Sequence, residues 1–377
     1  MQQRADFIVI GAGIAGASAA YFLSASGTVI LLERESQPGY HSTGRSAAIF
    51  TETYGNETIR ALTRTSRAFL ADPPHGFADQ PLLLARGLLY IASENQRTQL
   101  EHSYRTAHKL VDSVQRLSVA EALDLIPVLK EHALAAAVYE PDAMDIDVAA
   151  LHQGYLKGLA VNGGTVLTGA EVTGLDRTGS GWQVTTRIGS YLAEVVINAA
   201  GAWCDVIAEM ASAGKMGLKP LRRTVILFDP PDDMDSGGWP FCVDIDDGFY
   251  FKPYAGKILA SPADESPTPP CDAQPEEIDV ATAAALIEGS TSLEVTRISH
   301  KWAGLRTFSS DSTPIVGFDR ELPGFFWLAG QGGYGIKTSP ALGRIAAELI
   351  VNREIPRNFR SAGIQEQRLA PERFQPA

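Results

Sequence analysis

Cysteine is scarce: Cys204, Cys242 and Cys271 are the only three in 377 residues. Odd in number and widely spaced, they form neither a CxxC pair nor a disulfide framework, which points to a reducing, cytoplasmic setting. His41, His75, His102, His108, His132, His152 and His300 are scattered without ligand spacing, so no metal is expected. Positive charge is also short, with 32 Lys and Arg against 44 Asp and Glu and a formal net charge of −12. That balance disfavours nucleic acid and anionic membrane surfaces as partners. No run of 18 apolar residues occurs, so no membrane-spanning helix is expected. The first residues enter a short strand directly, without the pattern of a signal peptide. Glycine, by contrast, is plentiful: 35 residues, above the ~7% of an average protein.

The length suits two domains or one large enzyme fold. Phe7–Ile10 and Val29–Leu32 are continuous apolar runs, as buried parallel strands should be, and Ile14–Ser26 between them is an Ala-rich helix. Further helices are expected over Thr58–Leu70, after the Ser118–Glu121 capping box, and after Asp147 up to Gly163. Gly87–Ser93, Thr224–Phe228, Gly248–Lys252 and Lys257–Ala260 read as strands, and residues 216–300 as largely antiparallel. Asp264–Glu277, with four prolines, reads as an exposed loop. Val195–Ile197 and Phe325–Leu328 are late apolar strands. A helix over Pro340–Val351 follows, with Ser339 as N-cap. The expected fold class is α/β: a Rossmann-like dinucleotide domain interrupted by a mostly antiparallel α+β domain.

Gly11-Ala-Gly13-Ile-Ala-Gly16 follows a strand, opens a helix and has an acid, Glu33, 20 positions after Gly13. In that context the glycines serve a tight turn, close approach of a pyrophosphate and helix packing, while Glu33 faces a ribose. The fingerprint alone does not separate NAD from FAD. Three further turns favour the longer cofactor: Gly39–Ala47, Asn198–Trp203, and Gly330–Ser339 with its four glycines in six residues.

With these turns the chain resembles the D-amino-acid oxidase / glycine oxidase superfamily of FAD enzymes, most closely the bacterial FAD-dependent D-arginine dehydrogenases. The likeness runs through Gly11–Gly16, Gln37–Ala47, Leu151–Tyr155, Asn198–Asp205, Phe249–Pro253, Trp302–Arg306 and Gln331–Ile336. It implies a GR2-type FAD-binding domain over 1–82, 140–217 and 305–377, and a substrate-binding domain over 83–139 and 218–304. It also implies non-covalent FAD, with His41 the only residual candidate for attachment. The implied cofactor residues are Gly11, Gly13, Ile14, Ala15, Gly16, Glu33, Arg34, Ser42, Thr43, Arg45, Ser46, Ala47, Val172, Gly201, Trp203, Gly304, Gly330, Gly332, Gly333, Tyr334, Gly335, Ile336, Lys337 and Thr338. Lys337 either approaches the flavin pyrimidine edge, where a cation favours reduction, or faces solvent.

On the sequence alone Arg223 and Arg306 read first as surface residues, and Tyr54 and Tyr250 read equally as core aromatics. The resemblance implies that both arginines hold a substrate α-carboxylate, that both tyrosines close over the substrate, and that the Gly333 carbonyl accepts from its amine. Which of Arg222 and Arg223 points inward stays open, with Arg222 favoured as the structural neighbour. Gly55 offers Tyr54 the mobility of a lid. The pocket residues implied are Ala47, Ile49, Thr51, Leu88, Phe241 and Val243. Leu88 stands where the dehydrogenases have a glutamate for the guanidinium, and Ile49 where they have a histidine. Apolar D-amino acids are therefore expected to outperform D-Arg, unless Asp244, Asp246 or Asp247 reaches the pocket.

The implied reaction is oxidative deamination of a D-amino acid: hydride passes from Cα to flavin N5, and the imino acid hydrolyses to a 2-oxo acid and ammonia. The acceptor that reoxidises the flavin stays open between a quinone, a dye-like carrier and dioxygen. The alternatives are a 2-hydroxy-acid or secondary-amine oxidoreductase of the same superfamily, a non-catalytic flavoprotein, and an NAD-dependent dehydrogenase.

Overall fold

The computed structural model describes residues 3–179, 181–231 and 234–374. Its first sheet is built around strands Gln3–Ile10, Val29–Leu32, Thr165–Leu167, Gly189–Asn198 and Phe325–Ala329, all parallel. Gln3–Ile10 lies at the centre, with Phe7 opposite both Val29 and Val195. Val29–Leu32 and Phe325–Ala329 are buried throughout, and Ile8–Ile10 and Val196–Asn198 beside them, which fits a parallel sheet covered on both faces. The hairpin Val172–Thr178/Gly181–Thr186 extends one edge, and Ile315–Phe318 adds an antiparallel strand that the sequence reading lacked.

The Ala-rich helix Ile14–Leu23 packs against Gly335–Val351 and Val148–Val161. Small residues allow this contact: a Cβ on Gly343 would lie 2.8 Å from Ser18, and one on Gly158 would lie 2.3 Å from the Tyr21 ring. At the first turn the approach is closer still. A Cβ on Gly16 would lie 1.8 Å from the Gly11 carbonyl oxygen, and Gly11 itself has φ +99°.

The second sheet has nine strands, in the order Ser266–Pro267, Lys219–Phe228, Lys257–Ser261, Tyr250–Tyr254, Phe241–Asp244, Leu88–Ala92, Ala136–Glu140 and Gln115–Leu117. The ninth, Ile298–Phe308, pairs along the whole of Lys219–Phe228. Pairing is antiparallel except between Phe241–Asp244 and Leu88–Ala92. Alternation divides the faces. Leu89, Ile226, Cys242, Phe251, Ile258 and Ala260 pack under helices to form a core, while Leu88, Tyr90, Arg223, Phe241, Val243 and Tyr250 share the other face. A third, three-stranded sheet joins Ile49–Phe50, Leu83–Ala85 and Met144–Ile146.

Several local expectations change. The boundaries drawn at 139/140 and 304/305 fall inside strands Ala136–Glu140 and Ile298–Phe308, because a β-ladder keeps its strands whole. The proline-rich 264–277 segment is largely irregular and exposed, as expected, but it is also anchored: Ser266–Pro267 pairs with Leu221–Arg222, and Ala273 is buried. Next comes a helix, Glu277–Ser290, missed by the strand-based reading, with Val280, Ala283 and Ile287 buried on one face. The terminal helix starts at Gly335, not Pro340, so Pro340 lies inside it. A proline there leaves the Ile336 carbonyl without its usual donor; the Ser339 hydroxyl donates to that carbonyl at 3.0 Å. Ala341 N–H donates to Ser66 Oγ at 3.2 Å.

Gly16→Ala should introduce about 1–3 kcal/mol of overpacking strain. A melting temperature lower by a few degrees, with weaker cofactor retention, is the expected result of thermal melts on the purified protein; an unchanged melt would show that the turn relaxes freely.

Candidate active site

The C-terminal ends of the parallel strands deliver their following residues to one cleft of about 360 Å3. Its floor is Gly11–Ala15, Glu33–Arg34, Ala199–Trp203 and Gln331–Lys337, and its roof is the free face of the second sheet. At the floor the Ile14 N–H donates to Thr43 Oγ1 at 2.9 Å and the Ala12 N–H to Glu33 Oε2 at 3.0 Å. Glu33 is buried and also accepts from Glu35 N–H at 3.0 Å. Burial pushes its pKa up, against the pull of these two N–H groups. Trp203 is flanked by the Arg34 guanidinium at 4.9 Å and the His41 ring at 4.8 Å, while His41 Nε2 meets Glu35 Oε1 at 2.9 Å.

Most residues expected at the cofactor line this cleft: Gly11, Gly13, Ile14, Ala15, Glu33, Arg34, Ser42, Thr43, Ser46, Ala47, Val172, Gly201, Trp203, Gly304, Gly332, Gly333, Gly335, Ile336 and Lys337. Others stand apart. Gly16 packs against the turn beneath it, and Gly330 lies against Ser309. The Thr338 hydroxyl donates to the Tyr334 carbonyl, and the Tyr334 ring meets Tyr54 at a tilt, with centroids 5.3 Å apart. Arg45 lines the cleft, but its guanidinium turns to the carbonyls of Ala273 and Ala303 and to Asp272. The 264–277 loop thus takes up the charge expected near the cofactor.

At the far end, strand register brings the two arginines together. Arg306 stands opposite Leu221 and Gly304 opposite Arg223, so both guanidiniums leave the same face as diagonal neighbours. Arg222 leaves the other face, where it meets Glu276 and Asp279 and lies 3.9 Å from Asp264. Arg223 donates to the Asp264 carbonyl at 2.9 Å. Arg223 Nη2 and Arg306 Nη1 both approach Glu265 Oε1, at 3.0 and 3.5 Å. Gly333 lies so close to Arg306 that a Cβ would sit 1.6 Å from Nη2.

Tyr250 meets Phe241 edge-on at 5.3 Å, on the face opposite Phe249 and Phe251. Leu88, Phe241 and Val243 form an apolar cluster with Ile49, Tyr90 and Tyr250. Ala47 and Thr51 also line the cleft. Among the three aspartates, Asp244 and Asp246 accept from Gln96 and shape their own turn. Asp247 lines the cleft with φ +56°. It is exposed at the rim, yet partial desolvation of its carboxyl raises its pKa against the pull of Arg223 and Arg306.

The loop bearing Tyr54 is pinned. Lys337 is 4% exposed, and its Nζ donates to the Thr51 and Tyr54 carbonyls, each at 3.0 Å. Of the two expectations for Lys337, solvent exposure is therefore excluded. The Thr51 and Thr53 hydroxyls donate to Glu140 Oε2 at 2.8 and 2.6 Å. The sequence reading missed Tyr90, Glu140 and His152. Tyr90 was within its reach, since alternation places it on the face of Leu88. His152, buried with Nε2 2.9 Å from the Ala12 carbonyl oxygen, carried no local signal.

A glycine turn opening a helix, a buried acid after the second strand and a cleft running outward along the strand ends define a dinucleotide-binding protein. Over residues 6–349 the chain matches the FAD dependent oxidoreductase (DAO) family, and it belongs to that family. It is 26% identical to hydrogen cyanide synthase subunit HcnC of Pseudomonas aeruginosa, with 94% of each chain covered. Glycine oxidase of Geobacillus kaustophilus is 23% identical, over 94% of this chain and 95% of the relative. The crystal structure of that glycine oxidase superposes with a TM-score of 0.83, covering 94% and 96% of the two chains at 23% identity. L-proline dehydrogenase from P. horikoshii also gives 0.83, at 20% identity over 100% and 99%.

The cofactor is FAD, and the cleft suits it. Gly11 and Gly13 keep the helix N-terminus clear of side chains, Glu33 keeps lone pairs for a ribose, and the cleft continues past Ser42–Ala47 to the Gly332–Lys337 turn. Cys204 and Cys242 are buried, with burial pushing both thiols up, which makes them poor nucleophiles. Acid precipitation of the yellow protein should release all its flavin into the supernatant. Flavin retained in the pellet would mean a covalent bond, and His41 would be the residue to replace.

Proposed function

We propose that the chain oxidises D-amino acids by FAD-dependent deamination and that it prefers apolar side chains. The observation that carries this reading is the pair Arg223 and Arg306, diagonal on one sheet face above the glycine-rich floor. Two guanidinium forks offer a carboxylate more donors than it can accept, and so fix its orientation as well as its place. Bound FAD supplies the acceptor for the electron pair leaving the substrate Cα–H bond. The chain itself binds, orients and excludes water. Arg223 and Arg306 hold the carboxylate, Tyr54 and Tyr250 flank it, and the Gly333 carbonyl accepts from the amine. The apolar cluster of Leu88, Ile49, Phe241 and Val243 receives the side chain. Positioning of this kind can supply much of the rate without a side-chain base.

The choice of the D-enantiomer rests on the likeness to D-arginine dehydrogenases. A second reading, oxidation of glycine or a secondary amino acid, draws support from relatives named glycine oxidase, L-proline dehydrogenase and dimethylglycine dehydrogenase. A steady-state screen of D- and L-amino acids, glycine and L-proline, with dioxygen and a dye as alternative acceptors, separates the two.

Arg306→Ala is expected to lower kcat/KM at least ~100-fold, about 2.7 kcal/mol, with FAD retained. Near-normal turnover would remove Arg306 from the substrate site. For the side chain, burial of apolar area contributes roughly 25 cal/mol per Å2, whereas a guanidinium against Leu88 and Ile49 loses water without gaining a partner. With D-Leu and D-Arg offered together, wild type should consume D-Leu first and Leu88→Glu should shift preference towards D-Arg. If wild type already favours D-Arg, the rim carboxylate of Asp247 becomes the group to neutralise, and the apolar preference is wrong.

A further inference from the structure

Residues 51–54 belong to no helix or to any strand beyond Phe50, yet Thr51 and Glu52 are buried. Backbone carbonyls in such a segment need donors, because a buried unpaired polar group costs free energy. Lys337 supplies two of them at once from the first turn of the Gly335–Val351 helix. Glu140, at the end of the Ala136–Glu140 strand, grips the same segment through the Thr51 and Thr53 hydroxyls. Two side chains of opposite charge, from the two large sheets' sides of the cleft, thus hold one loop through four hydrogen bonds. The loop carries Tyr54, whose ring lies 5.3 Å from Lys337 Nζ and beside Arg306.

We propose that Lys337 and Glu140 form a buried latch that holds the 51–54 loop closed, which makes Lys337 a positioning residue for Tyr54 and Tyr54 a fixed wall of the cleft. A freely moving lid would leave these carbonyls and hydroxyls to water, whereas here they are bonded inside the protein. Other contacts brace the ends of the loop: Glu52 pairs with Arg67 at 2.6 Å, and Arg60 donates to the Gly55 carbonyl at 3.0 Å. The latch depends on charge. The groups facing Lys337 are Glu140 from the strand, Glu52 and Tyr54 from the loop, Arg60 from the Glu57–Ala71 helix and Tyr334 from the turn before its own helix. Burial draws the Lys337 pKa down to about 7, with Glu140 and Glu52 opposing that shift and Arg60 adding to it. The protonated amine makes charge-assisted bonds and faces Glu140 as a cation. Those bonds offset only part of the cost of burial, so a loop that opens and solvates Lys337 takes up a proton, and the latched form should gain stability as pH rises through about 7.

The test is hydrogen exchange on the FAD-loaded protein without substrate, which makes it independent of what the enzyme oxidises. In wild type, protection factors of the amides in 51–55 should rise at least about fivefold between about pH 6 and pH 8.5, while strands of the second sheet stay level. In Lys337→Met the same amides should be about tenfold less protected than in wild type at the higher pH, and flat with pH. Thr53→Val removes one Glu140 bond without touching the cofactor side and should give a smaller loss that keeps the pH dependence. This variant decides the matter if Lys337→Met does not fold. Protection in 51–55 that ignores pH in wild type, or that Thr53→Val leaves unchanged, overturns the latch.

Discussion

Two guanidiniums can act on one ligand only if the backbone presents them on one surface at one spacing. Here that constraint is met by the register of Lys219–Phe228 against Ile298–Phe308. A slip of one residue would send Arg306 to the face of Arg222, among the carboxylates of Asp264, Glu276 and Asp279. Gly304, opposite Arg223, faces the Ser42–Arg45 loop, which a Cβ there would meet at 3.5 Å. Glu265 draws both guanidiniums towards one oxygen and offsets part of their mutual repulsion.

The remainder of the site is arranged around that pair. The glycine-rich turn before the terminal helix passes so close to Arg306 that a side chain at position 333 would displace its guanidinium. The cofactor floor and the arginine roof are therefore in contact, and a change in either is felt by the other. Lys337 extends the coupling, because the same turn of helix that forms the floor also holds the loop of Tyr54. The cleft is walled by elements that brace one another, which suits chemistry that depends on position more than on a side-chain base.

Some of this was legible in the chain. The Gly11–Gly16 turn, its flanking strands and Glu33 are local, their roles set by neighbours within about thirty residues, and the structure shows them in register. Caps at Ser118 and Asp147 are equally local and are present. The start of the terminal helix was misplaced because Pro340 reads as a first-turn residue. Only the Ser339 and Ser66 hydroxyls, the latter from a distant helix, make an interior proline tolerable. The 264–277 segment is the exposed loop its prolines suggest, but nothing local tells that Arg45 and Arg222 anchor it through acceptors in it and just beyond it.

The sequence by itself determined the elements whose cause is short in range: the parallel strands, the dinucleotide turn, and the alternation that puts Tyr250 on the face opposite Phe249 and Phe251. Tertiary structure alone decided which of Arg222 and Arg223 faces the cleft, that Arg306 stands beside it, that Arg45 turns away, and that Lys337 and Glu140 close on the Tyr54 loop. Each of these depends on the pairing of strands or the burial of charges far apart in the chain. A buried charge takes whatever partner the fold brings within reach, and no local pattern encodes that partner.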